Sequence, residues 1–284
     1  MTLPFAAPRQ PSFFFIVFER KEVPFYMTAT TSISHYDLVN GVYCAGYPAT
    51  PAAFEQQYIA VRTREARIYT DEMVAALPGM PRKHPAYKEW MIRKRSAERL
   101  QRFCGRKEDA YILEIGCGNG WLSNLLAKNR HTYVTGLDIN MTELQQAARI
   151  FKAENLSFVY DTFSSSFMSG VQFSDIVFAA SIQYFSALND LLDLALAKLQ
   201  PGGHIHILDS FFYKSAEEQK AAAARTHSYY DTLGYSTMNR HYFHHTYNDL
   251  SGYNYTLAYN PHALWSRLNP NANPFPWIII QQHN

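Results

Sequence analysis

Tyr111-Ile112-Leu113-Glu114-Ile115-Gly116-Cys117-Gly118-Asn119-Gly120-Trp121-Leu122-Ser123 places three local patterns end to end. A mostly apolar run reads as a buried strand, glycines at 116, 118 and 120 follow at alternate positions, and Trp121 to Lys128 reads as the first turns of a helix. A glycine-rich turn between a buried strand and a helix is a ligand loop. Without Cβ atoms the backbone turns tightly, and a nucleoside or amino-acid group can lie against bare peptide N–H groups at the helix start.

Spacing narrows the ligand. A triphosphate cradle needs Lys and then Ser or Thr after its last glycine, and Trp121 and Leu122 stand there instead. A dinucleotide fingerprint counted from Gly116 puts Trp121 where a third glycine belongs, and counted from Gly118 it puts Ser123 there. A nicotinamide or flavin cofactor is weakened by this and stays open as an alternative.

Downstream, strands and helices alternate as in a doubly wound sheet. Thr132 to Leu137 is a strand ending at Asp138, eighteen residues beyond Gly120, where a carboxylate can accept both ribose hydroxyls of a nucleoside over the glycine loop. Asn140 with Glu143 forms a capping-box pattern, and Leu144, Ala147, Ala148 and Phe151 line one helix face. Strands at Ser157 to Tyr160 and Asp175 to Ala180 come next, then a helix from Ala187 to Leu199, the turn Gln200-Pro201-Gly202-Gly203 and a strand from His204 to Leu208. Trp277-Ile278-Ile279-Ile280, after Pro276, reads as a last, antiparallel strand.

Taken together, these stretches resemble the class I S-adenosylmethionine-dependent methyltransferases over about residues 110 to 210. Glu114-Ile115-Gly116-Cys117-Gly118-Asn119-Gly120 looks like that family's first motif. The resemblance implies a Rossmann-like, seven-stranded, mostly parallel sheet with an antiparallel last strand, preceded by N-terminal helices. It implies S-adenosyl-L-methionine as cofactor, held by Glu114, Gly116, Cys117, Gly118 and Gly120. Asp138 then takes the ribose, Ile139 lies against the adenine, and Asp161 with the backbone of Thr162 meets the adenine amino group. The segment Asp175 to Phe185 is similar to the fourth-strand motif, whose last carbonyls, at Ala179, hold the methionine amino group. Leu199-Gln200-Pro201-Gly202-Gly203 looks like the turn before the fifth strand.

Two absences narrow the acceptor. Base N-methyltransferases carry Asn or Asp, two prolines and an aromatic after the fourth strand, where this chain has Ala180-Ser181-Ile182-Gln183, and no cysteine follows a proline as a C5-pyrimidine enzyme requires. With 26 basic and 24 acidic residues, nothing global points to nucleic acid or an anionic membrane. The expected acceptor is a small molecule. A non-catalytic nucleoside-binding protein of the same fold is the other alternative.

A sulfonium methyl needs alignment and desolvation more than acid–base help, but a hydroxyl or protonated amine acceptor must lose a proton. Tyr184 after the fourth strand, Asp209 after the fifth and His244 in the tail are the candidates. The tail from Ser228 to Tyr259 is dense in tyrosine, read either as packing beneath loops or as an aromatic wall of the acceptor site. His244-His245 lacks a third ligand at metal-site spacing, so no metal is expected.

At 284 residues the chain can bury roughly three quarters of its unfolded surface. Residues 1–26 read as an extension or upstream start, 27–105 as a helical cover with helices from Thr50 to Leu77 and Tyr87 to Cys104, and 106–284 as the catalytic domain. The second of these helices is basic, either a solvated face or a docking surface for an acidic partner. The run Phe13 to Phe18 is far below the roughly 20 apolar residues of a membrane helix. Three cysteines, an odd number without metal-like spacing, suit a reducing, cytoplasmic compartment.

Overall fold

The computed structural model describes residues 35–46, 53–107, 109–268 and 272–282. The expectations for residues 1–26 lie outside that set. In chain order the main elements are β1 (Asp37–Val39), β2 (Val42–Cys44), α1 (Ala53–Arg64), α2 (Asp71–Ala76), α3 (Tyr87–Cys104), β3 (Ala110–Ile115), α4 (Trp121–Leu126), β4 (Thr132–Asp138), α5 (Met141–Ile150), β5 (Leu156–Tyr160) and β6 (Phe173–Ala179). Then come α6 (Leu188–Ala197), β7 (Leu199–Leu208), β8 (Phe212–Tyr213), α7 (Ala216–Leu233), β9 (His245–Thr246), β10 (Asn254–Tyr259), α8 (Leu264–Arg267) and β11 (Trp277–Gln281).

All six residues of β3 are buried, which is why the run carries almost no polar side chain. Ile112 packs on one face of the sheet with Leu100, Leu122 and Leu144, while Leu113 and Ile115 pack on the other with Phe178 and Leu192. Truncating one such leucine to alanine costs about 2–5 kcal/mol in a core of this kind. β3 is flanked in parallel by β4, matched residue for residue from Ala110↔Thr132 to Ile115↔Leu137, and by β6. The register brings the carboxyl ends of β3, β4, β5, β6 and β7 to one edge, where an open α/β sheet holds its ligand.

The sheet order is β1-β2-β5-β4-β3-β6-β7-β11-β10. β11 runs antiparallel between β7 and β10, as expected for the last strand. The sheet has nine strands rather than the seven expected. The extra pair is a hairpin turning on Asn40-Gly41, whose φ angles of 51° and 84° are those of a tight primed turn, and β2 joins β5 in parallel.

The helix expected from Thr50 to Leu77 is two helices. α1 stops because Ala66 enters the left-handed region at φ 55° and Arg67 N–H reaches the Arg62 carbonyl, a Schellman ending with alanine in the usual glycine position. Thr70 then caps α2 by accepting from Met73 N–H. The start expected at Thr50 lies outside the described residues. α3 is not one solvated basic face: it buries Trp90, Ala97 and Leu100, turns Arg93 toward the sheet edge, and lays Arg99 over the Tyr259 ring at 4.1 Å. No described helix is long and apolar enough to cross a membrane.

Candidate active site

Gly116, Gly118 and Gly120 all sit at positive φ, 77°, 52° and 71°. The physical reason for each glycine differs from the bare-backbone argument. A Cβ on Gly116 would stand 2.5 Å from Ser181 Cβ, and one on Gly120 would stand 2.5 Å from the Phe158 ring, so both positions are demanded by packing inside the protein. A Cβ on Gly118 would instead enter the gap between loop and α5, 3.3 Å from the Glu143 carboxylate.

Asp138, at the end of β4, holds this loop. Its Oδ2 accepts Gly118 N–H at 2.7 Å and its Oδ1 accepts Asn140 N–H at 2.9 Å. Burial raises its pKa against those two hydrogen bonds. Glu143, which the sequence reading used only as part of a cap, brings a second carboxylate to Gly118; Asn140 Nδ2 donates to its Oε2 at 3.0 Å. Burial, then the neighbouring Asp138 charge, push Glu143 up to about 7. Ile139 beside them is 37% exposed, an apolar side chain left open at the strand end.

Glu114 is fully buried and accepts Ser123 Oγ–H at 2.5 Å, tying β3 to α4, and burial lifts its pKa to about 8. Cys117 is buried, its thiol pushed well above the ordinary range by burial and nearby carboxylates. At the end of β5, Asp161 Oδ1 accepts Thr162 N–H at 2.7 Å and Oδ2 accepts the Tyr36 hydroxyl at 2.7 Å, a partner the sequence did not suggest. Ala179 closes β6; the next carbonyl, of Ala180, accepts Gln183 Nε2 at 2.6 Å.

Above the strand ends lies a cavity of about 820 Å³ that runs from the glycine loop to the tail. α1 contributes Tyr58, Val61 and Arg62, α3 contributes Trp90 and Arg93, and α7 with the segment after it contributes Tyr229, Tyr230, Tyr242 and His244. Together α1 and α7 form its roof. Tyr229 donates to Glu65, Thr237 Oγ1 donates to Gln57 Oε1 at 2.8 Å, and Val61, Tyr230 and Met238 form a small apolar cluster between them. The Arg62 guanidinium stacks over Tyr58 at 5.3 Å and pairs with Glu65, while its Nε is buried with no partner among the described residues. Glu89 accepts from Arg67 at 2.7 Å and Arg93 at 2.9 Å.

The three candidates for proton transfer all line this cavity and differ in what they have free. Tyr184 meets Tyr58 and Tyr242 edge-on, with ring centroids 5.8 and 5.7 Å away, at the junction of roof and sheet, and burial pushes its hydroxyl up. Asp209 is engaged: its Oδ1 accepts Ser96 Oγ–H at 2.6 Å, and Asn273 Nδ2 donates to the same Ser96 oxygen at 2.7 Å. His244 has its Nδ1 3.2 Å from the Tyr213 hydroxyl and its Nε2 buried without a partner among the described residues. Burial lowers its pKa, so the imidazole is neutral.

The aromatic tail divides between the cavity and the core. Tyr229, Tyr230 and Tyr242 wall the cavity, whereas Tyr247, Tyr253 and Tyr255 pack on the opposite core and Tyr259 binds the Asn273 carbonyl. His245 faces the Ile182 carbonyl at 3.2 Å, away from its neighbour's contact. At the far end of the sheet Cys104, Asp175 and His206 come within 4.8 Å of one another. That cluster is an ion-pair network: Lys107 Nζ contacts both Asp175 oxygens at 2.8 and 2.9 Å, and His206 lies between Asp175 at 3.0 Å and Trp277 Nε1 at 3.3 Å.

Comparison with known proteins agrees with this fold. The methyltransferase domain family matches residues 112–203, from the strand before the glycine loop to the turn inside β7. The chain therefore carries a methyltransferase domain. No curated protein matches the chain by sequence. Among solved structures it is similar to an O-methyltransferase family protein from Burkholderia thailandensis, at 13% identity and a TM-score of 0.51 over 84% of this chain and 65% of that one. It is also similar to the YcgJ protein from Bacillus subtilis, at 13% identity and a TM-score of 0.50 over 67% of this chain and all of that one. At such identities the likeness speaks for the fold. The family match stops short of the roof, which lies outside residues 112–203.

Proposed function

We propose that this methyltransferase moves the methyl group of S-adenosylmethionine to a small organic acceptor held between the glycine loop and the roof. The observation that supports this most is the single cavity of about 820 Å³ joining Gly116 and Gly118 to Tyr184, Tyr242 and His244. It is of the size that holds a drug-like ligand. The donors and acceptors at the strand ends fit an adenosine: two carboxylates at Gly118 for hydroxyl donors, an open apolar side chain at Ile139, and a fixed carboxylate at Asp161.

In this reading Asp138 and Glu143 accept from the ribose, Ile139 lies on the adenine, and Asp161 with Thr162 meets its amino group. Glu114, Gly116, Cys117, Gly118 and Gly120 shape the loop, and the carbonyl at Ala179 takes the methionine ammonium. When bound, S-adenosylmethionine supplies a methyl already activated on sulfonium, whose thioether leaves without protonation. What the chain must add is alignment and exclusion of water, which the roof provides by closing over the strand ends. His244 Nε2 receives the acceptor's proton, being neutral and unpartnered. Tyr184 shapes the methyl site, and Asp209 anchors α3 through Ser96.

α1, α3, α7 and the segment after it to Tyr242 then act as an acceptor cover on the sheet. Burial of Cys44, Cys104 and Cys117 as free thiols is in keeping with a cytoplasmic site of action. Thermal shift separates this reading from the nicotinamide alternative: S-adenosylhomocysteine raises the melting temperature and NADH does not. Mass spectrometry of co-purifying ligands, followed by turnover assays, identifies the acceptor; methylation of macromolecules alone, or stabilisation by NADH alone, overturns the proposal.

A further inference from the structure

The hairpin of β1 and β2 adds to the sheet at the end where β5 delivers Asp161. β2 pairs with β5 through Tyr43↔Val159 and Cys44↔Tyr160, a register that leaves the residue just before β1, Tyr36, beside the end of β5. The Tyr36 ring is 8% exposed and belongs to the same buried cluster as Leu137, Val159, Phe167 and Met168. Its hydroxyl donates to Asp161 Oδ2 at 2.7 Å, while Thr162 N–H donates to Oδ1 at 2.7 Å. A hydrogen bond to a carboxylate from a ring locked by packing is stronger and more directional than one from a mobile side chain. The carboxylate is therefore held from both sides, and each oxygen keeps a second lone pair for another donor.

We propose that Tyr36 is a positioning residue that makes Asp161 selective for the adenine amino group, so that the added hairpin sharpens discrimination between adenosyl cofactors and their deaminated, inosyl counterparts. The inference rests on Asp161 lying at the adenine, as proposed above. An ionised carboxylate only accepts hydrogen bonds. Adenine offers N–H at its sixth position and hypoxanthine offers a carbonyl oxygen, so a carboxylate fixed in place attracts the first and repels the second. Released from Tyr36, the same carboxylate can rotate toward water, and both the attraction and the repulsion fade.

Calorimetric titration of S-adenosylhomocysteine and S-inosylhomocysteine into the wild type, Tyr36→Phe and Asp161→Asn tests this, with melting temperatures taken alongside. The phenylalanine variant keeps the ring and loses only the hydroxyl. Its affinity for S-adenosylhomocysteine is expected to fall roughly three- to tenfold with the inosyl analogue little changed, so the preference narrows. Asp161→Asn is expected to remove the preference altogether. If Tyr36→Phe weakens both ligands equally, or neither, while Asp161→Asn still removes the preference, the role given to Tyr36 is wrong and the placement of Asp161 stands. If Asp161→Asn leaves the preference intact, the adenine is elsewhere and both fall.

Discussion

Gly118 and Glu143 meet on the floor of the cavity from two consecutive strand–helix units, whereas Glu65 and Tyr229 meet in its roof from positions 164 residues apart. The floor is local. Its strand period, its alternate glycines and its capping residue are each visible over a few neighbours, and the family match covers it. The roof is non-local, built from α1 and α7, and falls outside that match. One half of the site thus lies within the matched domain, and the other half lies outside it. The contrast predicts that floor substitutions act on folding and cofactor affinity, while roof substitutions act on turnover.

The largest effect is expected from Gly120→Val. Its Cβ would overlap the Phe158 ring at 2.5 Å from a residue at φ 71°, costing about 3 kcal/mol or more, read as a fall in the urea midpoint or loss of soluble protein. Gly118→Val provides the contrast. Its Cβ meets only the end of the Glu143 side chain, so stability falls by roughly 1–3 kcal/mol from backbone strain while S-adenosylhomocysteine binding is lost. A folded Gly118→Val that binds normally would remove the loop from the cofactor site.

Asp138→Ala comes next. Losing a charged acceptor for two hydroxyls is expected to weaken S-adenosylhomocysteine by roughly 2–4 kcal/mol in a calorimetric titration. Unchanged affinity would reassign the ribose to Glu143. For the roof, His244→Ala is expected to lower kcat/KM about a hundredfold, and Tyr184→Phe less, with S-adenosylhomocysteine affinity in both kept within about threefold, or roughly 0.7 kcal/mol. Because burial lowers the His244 pKa, the acidic limb of the wild-type kcat/KM profile is expected below the ordinary 6.5, and that limb should vanish in the alanine variant. Normal kinetics in both variants would return the tail to a packing role.

A separate expected effect is on stability against pH. The Glu114 carboxyl is raised from 4.5 to about 8, so the folded state holds its proton where the unfolded chain has lost it. The stability this contributes is complete below the ordinary carboxylate range and declines as pH rises toward 8. Glu114→Gln is therefore expected to gain on the wild type as pH rises from 5 to 8, seen as a widening difference in melting temperature. An offset that does not change with pH would mean that Glu114 is ionised in the fold.

What could be read in advance follows the same division. The strand before Gly116, the position of Asp138 and the antiparallel strand at Trp277 rest on period and spacing, and all three are present in the sheet. The hairpin at Asn40-Gly41 was also legible, since Asn-Gly between Val39 and Val42 is a strong short-range turn signal, but it sat in a segment read as helical cover. The break after α1 was not legible, because alanine occupies the left-handed position where glycine would have marked a stop. Glu143 was hidden by its own cap pattern. Tyr58, Arg62 and the Ser96–Asp209 tie depend on where whole helices dock, and no local pattern encodes that.

The Glu65–Tyr229 contact also has a meaning in time. The ribosome adds about 5–20 residues per second, so the 164 residues separating these partners correspond to roughly ten to thirty seconds of synthesis. In the later part of that interval the glycine loop and Asp138 have already been made while the helix that must cover them has not. Burial of Tyr184, Tyr58 and Arg62 is therefore a late event in the life of each chain, and a nascent chain that ends before Tyr229 presents an uncovered aromatic surface to chaperones and proteases.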